Sequence, residues 1–146
     1  MTLPPACAKD IMHTDVIAIP ASTDVWDLAR QLTTLKITGA PVTDERGFLI
    51  GVVSQTDIVR HLKELVQVPP LESDFYAQAE VEDLGRAARP LTARDLMSPR
   101  VIQAQEETPV QELANIMTRH RVHRIIITRG HRIMGIVTTM DILKVL

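Results

Sequence analysis

The chain contains the same pattern twice. Ala8-Lys9-Asp10-Ile11-Met12 is matched 85 positions later by Ala93-Arg94-Asp95-Leu96-Met97. The same offset pairs Val16-Ile17 with Val101-Ile102, Thr23 with Thr108, and Val25, Leu28 and Ala29 with Val110, Leu113 and Ala114. Toward the C-terminus the offset falls to 84, where Gly51-Val52-Val53-Ser54-Gln55-Thr56-Asp57-Ile58 pairs with Gly135-Ile136-Val137-Thr138-Thr139-Met140-Asp141-Ile142. One deletion in a turn accounts for the change, because Asp44-Glu45-Arg46-Gly47 faces a shorter turn around Arg129-Gly130. Order is kept through both copies, which marks an internal duplication. The repeats span 8–62 and 92–146, with 63–91 as an inter-repeat connector.

Each copy carries the same local signals. A helical turn ends near Met12 or Met97, and a short strand is expected at Val16-Ile17-Ala18 or Val101-Ile102-Gln103. Apolar residues at Val25, Leu28, Ala29, Leu32 and Leu35, and at Val110, Leu113, Ala114 and Met117, fall at helical spacing. Thr108, Pro109 and Gln111 read as N-cap, N1 and N3 of the second of these helices. Two hairpins follow, Ala40–Thr43 with Leu49–Val53 and Arg124–Thr128 with Ile133–Val137, and a last helix starts from Ser54 or Thr138. The order is β-α-β-β-α, twice. A unit of this size is small for an independent core, so the pair is expected to pack about a pseudo-two-fold axis into one α/β module. In the connector, Pro69-Pro70 breaks the preceding helix, and Ser73 through Leu84 could form a short helix. Phe75 and Tyr76 there suit either a solvated connector or a partner-binding element.

Composition narrows the function classes. The single cysteine, Cys7, excludes an intramolecular disulfide and a Cys-clustered zinc site. Four aromatic residues and a formal net charge of −2 argue against base stacking and nucleic-acid binding. No apolar run approaches a membrane span, and Met1-Thr2-Leu3-Pro4-Pro5 does not open a signal peptide, so a cytoplasmic protein is expected. No P-loop and no Ser-His-Asp order is visible, which argues against an enzyme. His120 and His123 lack a third ligand, and Arg121 and Arg124 would repel a cation, so no metal is expected.

These elements resemble a pair of cystathionine-β-synthase (CBS) domains, the regulatory unit also called a Bateman module. The resemblance rests on Asp10-Ile11-Met12, Gly39-Ala40-Pro41-Val42, the two Gly-x-x-Ser/Thr-x-x-Asp motifs and His123-Arg124-Ile125-Ile126-Ile127, and it covers about 110 of the 146 residues. It implies a sensor of AMP, ADP, ATP or another adenosyl compound, with the ligand in clefts between the repeats. It also implies a homodimer, an effector protein as partner, and no catalytic cofactor. The Asp ending each motif, Asp57 or Asp141, would bind ribose hydroxyls, and Ser54 or Thr138 would bind phosphate.

The residue chemistry is compatible with those roles. Ser54 and Thr138 sit where strand becomes helix, a place favourable to anions. A carboxylate one turn later can accept two hydrogen bonds from vicinal hydroxyls. Gly51 and Gly135 would let backbone and ligand approach closely. The same spacings also read as capping boxes with Asp in place of Glu. From Leu113 to Met140 there is no acidic residue, whereas Arg119, Arg121, Arg124, Arg129 and Arg132 are present with His120, His123 and His131. That stretch suits a phosphorylated ligand or simply a solvated face. His123-Arg124 is similar to a phosphate-reading pair in the gamma subunit of AMP-activated protein kinase, and is assigned to phosphate in a second cleft with Asp141. The first copy has Thr38-Gly39 in those positions. The adenine pocket is expected from Thr14, Val16, Ala40, Pro41 and Val52 in one cleft and Val101, Ile125 and Ile136 in the other, unless these are plain core. Two other readings stay open: an interaction subunit with vestigial clefts, and nucleic-acid binding through the Arg-rich hairpin.

Overall fold

The computed structural model describes residues 6–62 and 91–146. Each repeat opens with one helical turn, α1 (Ala8–Ile11) and α4 (Ala93–Leu96). The first continues through β1 (Ile19–Pro20), α2 (Val25–Leu35), β2 (Gly39–Thr43), β3 (Leu49–Ser54) and α3 (Gln55–Arg60). The second continues through β4 (Gln103–Gln105), α5 (Val110–His120), β5 (Arg124–Arg129), β6 (Arg132–Thr138) and α6 (Thr139–Leu143). Each copy builds a three-stranded sheet, ordered β1-β2-β3 and β4-β5-β6, whose first pair is parallel and second antiparallel. A parallel pair needs a crossover connection, which α2 and α5 supply. The expected β-α-β-β-α order, twice, is the observed one. Phe75, Tyr76 and the helix expected over Ser73 to Leu84 lie outside the described residues.

The sequence pattern accounts for most element ends. Helix α2 buries Val25, Leu28 and Leu32, and α5 buries Val110, Leu113 and Met117, so one apolar stripe of each faces its sheet. Both helices stop at a left-handed residue, Lys36 (φ 56°) and Arg121 (φ 53°), at the same place in each repeat. Gly47 and Gly130 supply positive φ in the hairpin turns.

Two local expectations are corrected. The first strand of each copy lies further along than Val16–Ala18 or Val101–Gln103. The Val16 amide turns back to the Thr14 carbonyl, and the ladder begins only where Ile19 comes opposite Val42. Thr108 is not the N-cap of α5. Its hydroxyl accepts from the Gln105 amide at 3.1 Å, and Pro109 takes the cap position with no side-chain bond. Its counterpart Asp24 does cap α2, accepting from the Trp26 amide at 2.8 Å.

The two repeats exchange their leading segments. Helix α1 bonds to the second repeat, with the Ala8 amide on the Thr108 carbonyl and the Lys9 amide on the Glu106 carbonyl. Helix α4 bonds to the first, with the Ala93 amide on the Thr23 carbonyl and the Arg94 amide on the Ala21 carbonyl. The hydrophobic cores follow this exchange. Ala93 and Leu96 join Ile19, Val25, Leu28, Val42 and Val53, while Ala8 joins Val110, Leu113, Ile125, Ile127 and Val137. Each core is therefore completed by residues from the other copy, which ties the two repeats together. The segments after α1 and α4 then add antiparallel bridges, His13 to Ile136 and Ser98 to Val52.

Gly51 and Gly135 serve this exchange and not a ligand. A Cβ on Gly51 would lie 2.6 Å from the Met97 sulphur and 2.7 Å from the Ser98 carbonyl oxygen. One on Gly135 would lie 2.7 Å from the Met12 sulphur and 2.8 Å from the His13 carbonyl oxygen. Both glycines admit the crossing segment of the opposite repeat.

Candidate functional site

The two sheets leave a cleft of about 580 Å³ between the repeats. From the first repeat it is lined by Thr38, Gly39, Ala40, Pro41, Val52, Val53, Ser54 and Asp57. From the second come Ser98, Arg100, Ile102, Val122, His123, Arg124, Ile126 and Ile136. One wall is apolar, and the rim sets a carboxylate from one copy against cationic side chains from the other.

Asp57 is positioned by the strand-to-helix corner. Its Oδ2 accepts from the Ser54 amide at 2.8 Å and from the Ser54 hydroxyl at 3.0 Å. The Asp57 amide in turn donates to Ser54 Oγ at 3.3 Å. The capping box and the ligand reading thus coexist, because the cap engages one carboxylate oxygen only. The other, Oδ1, meets Arg60 Nη1 at 3.4 Å, a long contact. That leaves lone pairs for hydroxyl donors from a ligand.

Asp141 repeats the cap, accepting on Oδ2 from the Thr138 amide at 2.7 Å and hydroxyl at 2.9 Å. Its Oδ1 is differently placed, because His13 Nε2 donates to it at 2.6 Å. Asp141 is 5% exposed and is not part of the cleft lining. Burial pushes its carboxyl pKa up, but the hydrogen bonds from Thr138 and His13 outweigh this and hold it below the ordinary carboxylate value.

The basic pair faces the opposite carboxylate from the one expected. His123 and Arg124 line the cleft that Asp57 enters, not a cleft shared with Asp141. Packing about the pseudo-axis brings the start of β5 toward the first repeat's strand-to-helix corner. Thr38 and Gly39 lie in the same cleft. Three other arginines of the Arg-rich stretch are engaged elsewhere. Arg129 forks onto Glu106 at 2.7 and 3.1 Å, and Arg119 pairs with Glu112 at 3.6 Å. Arg132 stacks on the Phe48 ring, 5.4 Å from its centroid. Among the described residues, no group of three His, Cys, Asp or Glu side chains could hold a metal ion.

Of the residues expected at adenine, Ala40, Pro41, Val52 and Ile136 line the cleft. Thr14, Val16 and Val101 do not. Ile125 is corrected to core: it is fully buried beside Leu113 and Val137. Side chains alternate along a strand, so its neighbour Ile126 is the one that turns into the cleft. Sequence reasoning also missed Ser98, Arg100 and Ile102. The signal was present in the repeat, since Ser98-Pro99-Arg100 stands where the first copy has His13-Thr14-Asp15.

The CBS-domain family model matches residues 8–64 and 93–146. The chain belongs to the CBS-domain family. An uncharacterised protein of Methanocaldococcus jannaschii is 28% identical over 94% of this chain and 89% of its own length. The CBS domain of a CBS domain-containing membrane protein from Sphaerobacter thermophilus is 29% identical, with a TM-score of 0.67 over 99% of this chain and 90% of that one. The CBS domain pair of protein MJ0100, solved with 5′-methylthioadenosine and S-adenosyl-L-methionine, is 25% identical. Its TM-score is 0.68 over 97% of this chain and 95% of that one. Two further M. jannaschii relatives, an inosine-5′-monophosphate dehydrogenase and an L-aspartate semialdehyde sulfurtransferase, are matched over only 23% of their length. The chain therefore corresponds to only a minor part of each of those two enzymes. No helix among the described residues is long and apolar enough to cross a membrane.

Proposed function

We infer that this CBS pair is a non-catalytic regulatory module, which binds an adenine nucleotide or a related adenosyl compound in the cleft between its repeats. The observation that carries this reading is the placement of Asp57 in one cleft with His123 and Arg124. Oδ1 of Asp57, held only by the long 3.4 Å contact from Arg60, accepts from the ribose diol. Arg124, His123 and Arg100 face the phosphate, whereas the Ser54 hydroxyl donates its proton to Asp57 Oδ2 and would have to give up that bond to reach the phosphate. Pro41, Val52, Ile126 and Ile136 give flat apolar surface for a purine. A volume of about 580 Å³ lies in the usual range of small-molecule sites. The adenosyl ligands of the MJ0100 pair support the same ligand class.

Ligand bridging the two repeats favours one relative orientation of them, and a partner protein reads that orientation. The shift is no larger than the ligand's differential affinity for the two states. The partner includes a second copy of the chain. Exposed Val59 and Leu62 after β3 recur as exposed Leu143 and Leu146 after β6, giving two equivalent apolar strips.

Isothermal titration calorimetry with AMP, ATP, adenosine and S-adenosylmethionine tests the ligand reading. A saturable heat for at least one ligand, weakened by Asp57→Asn, supports it. No heat with any of the four at millimolar concentration rejects it and leaves an interaction subunit with vestigial clefts. Light scattering of the wild type against a Val59→Asp/Leu143→Asp double variant tests the dimer.

A further inference from the structure

The two copies end in the same Ser/Thr-x-x-Asp cap, with bond lengths that agree within about 0.1 Å. They differ in what the crossing segment of the opposite repeat brings to the carboxylate. At Asp57 that segment is Ser98-Pro99-Arg100, and both Ser98 and Arg100 line the open cleft. Ser98 is occupied locally, its Oγ accepting from the Arg100 amide at 3.3 Å, so the crossing segment brings no donor to Asp57 Oδ1, whose one partner among the described residues is the long 3.4 Å contact from Arg60 Nη1 on its own helix. At Asp141 the segment is His13-Thr14-Asp15. His13 is anchored by backbone bonds in both directions to Ile136, at 2.9 Å each, which fixes where its ring can reach. The ring reaches Asp141 Oδ1 at 2.6 Å, while 63% of the His13 side chain stays exposed. Asp15 puts a negative charge where the other copy has the cation Arg100.

We propose that His13 closes the Asp141 carboxylate to ligand, acting as an internal substitute for a ribose hydroxyl donor, so that the duplicated chain keeps only its Asp57 site open. The proposal rests on the reading that Asp57 lies in a nucleoside site, and it adds which of the two pseudo-equivalent carboxylates is used. His13 is then the residue that sets ligand number. An imidazole N–H on Oδ1 satisfies the oxygen that a diol would need. The ring is also larger than the Ser98 side chain at the corresponding position. Releasing the carboxylate requires replacing His13 by the residue that evolution left at position 98.

The test is the number of ligands bound by wild type, His13→Ser and His13→Ser/Asp141→Asn, titrated calorimetrically with adenosine and with AMP. Adenosine is included because Asp15 disfavours a phosphate on that side. Circular dichroism confirms folding, which is expected because Ser is the native residue at position 98 of the other copy. The expected result is one more binding event in His13→Ser than in wild type, lost again in the double variant. One ligand rising to two upholds both the proposal and the Asp57 reading. None rising to one upholds the role of His13 and rejects the Asp57 site. An unchanged number with both probes overturns the proposal. Two ligands already bound by wild type also overturn it.

Discussion

The sulphur of Met97 lies 2.6 Å from the point where a Cβ on Gly51 would stand, so the second repeat fits against the first only because position 51 has no side chain. The Ser98 carbonyl oxygen, 2.7 Å from the same point, is held by the Val52 amide at 2.9 Å and cannot swing aside as a thioether can. Gly51→Ala is therefore expected to destabilise the fold by about 1–3 kcal/mol, the usual cost of overpacking. Urea denaturation measures this. An unchanged midpoint would show that the crossing segments are loosely held. Adding Met97→Ala should recover only part of the loss, because the backbone carbonyl remains.

The exchange of leading segments also marks the limit of what the sequence makes legible. The offsets of 85 and 84 define two copies and their hairpins, because apolar periodicity and turn residues are local signals. Which copy each leading turn packs on is a tertiary choice with no local signal, since Ala8 and Ala93 look alike from either side. Ser54 and Asp57 are picked out by their repeated motif together with the family resemblance, and His123-Arg124 by the acid-free basic stretch and the same resemblance. Their partnership across the pseudo-axis is not, because sequence proximity links His123 to Thr138 and Asp141. Ile125 and Ile126 are equally apolar, so composition cannot say which side of β5 faces the cleft; only the register of the ladder with β6 does.

The cleft chemistry separates sugar from phosphate recognition. Asp57→Asn keeps an oxygen for the Ser54 cap but loses the charge that strengthens bonds from the diol. Hydrogen bonds to charged groups contribute about 1.5–3 kcal/mol, so affinity for AMP and adenosine alike should fall by roughly 10-fold or more. Arg124→Ala removes a cation that adenosine does not use, and should weaken AMP by roughly 10-fold while changing adenosine by less than about 3-fold. Equal losses for both ligands in Arg124→Ala, read by calorimetry, would reject its phosphate role.

Asp141 gives stability a dependence on acid. Its folded-state pKa lies below the ordinary value of 3.8, because the bonds from Thr138 and His13 favour the carboxylate over the acid. A group with a depressed folded pKa stabilises the native state above its unfolded pKa, and that contribution disappears as pH falls through the folded value. The stability gap between wild type and Asp141→Asn should therefore be present at pH 5 and narrow progressively as pH falls below about 4 toward the depressed folded value. Chemical denaturation at each pH checks this. A gap that does not narrow at all below pH 4 would assign the effect to packing instead of charge.

Leu113 has no exposed surface and sits on the stripe of α5 that faces Ile125, Ile127 and Val137. Leu113→Ala should cost about 2–5 kcal/mol through lost transfer energy and the cavity left behind. Ala8 belongs to the same core from across the pseudo-axis, and the α1 amides are bonded to Thr108 and Glu106 at the entrance to α5. Loosening α5 should therefore also release α1, even though α1 belongs to the first repeat in sequence. Hydrogen exchange of the Ala8 and Lys9 amides distinguishes this arrangement from two self-contained repeats. They should lose protection in Leu113→Ala, whereas the Ala93 and Arg94 amides, bonded to Thr23 and Ala21, should lose less. Equal loss at both places would mean that the two cores melt as one unit and that the exchange carries no local cooperativity.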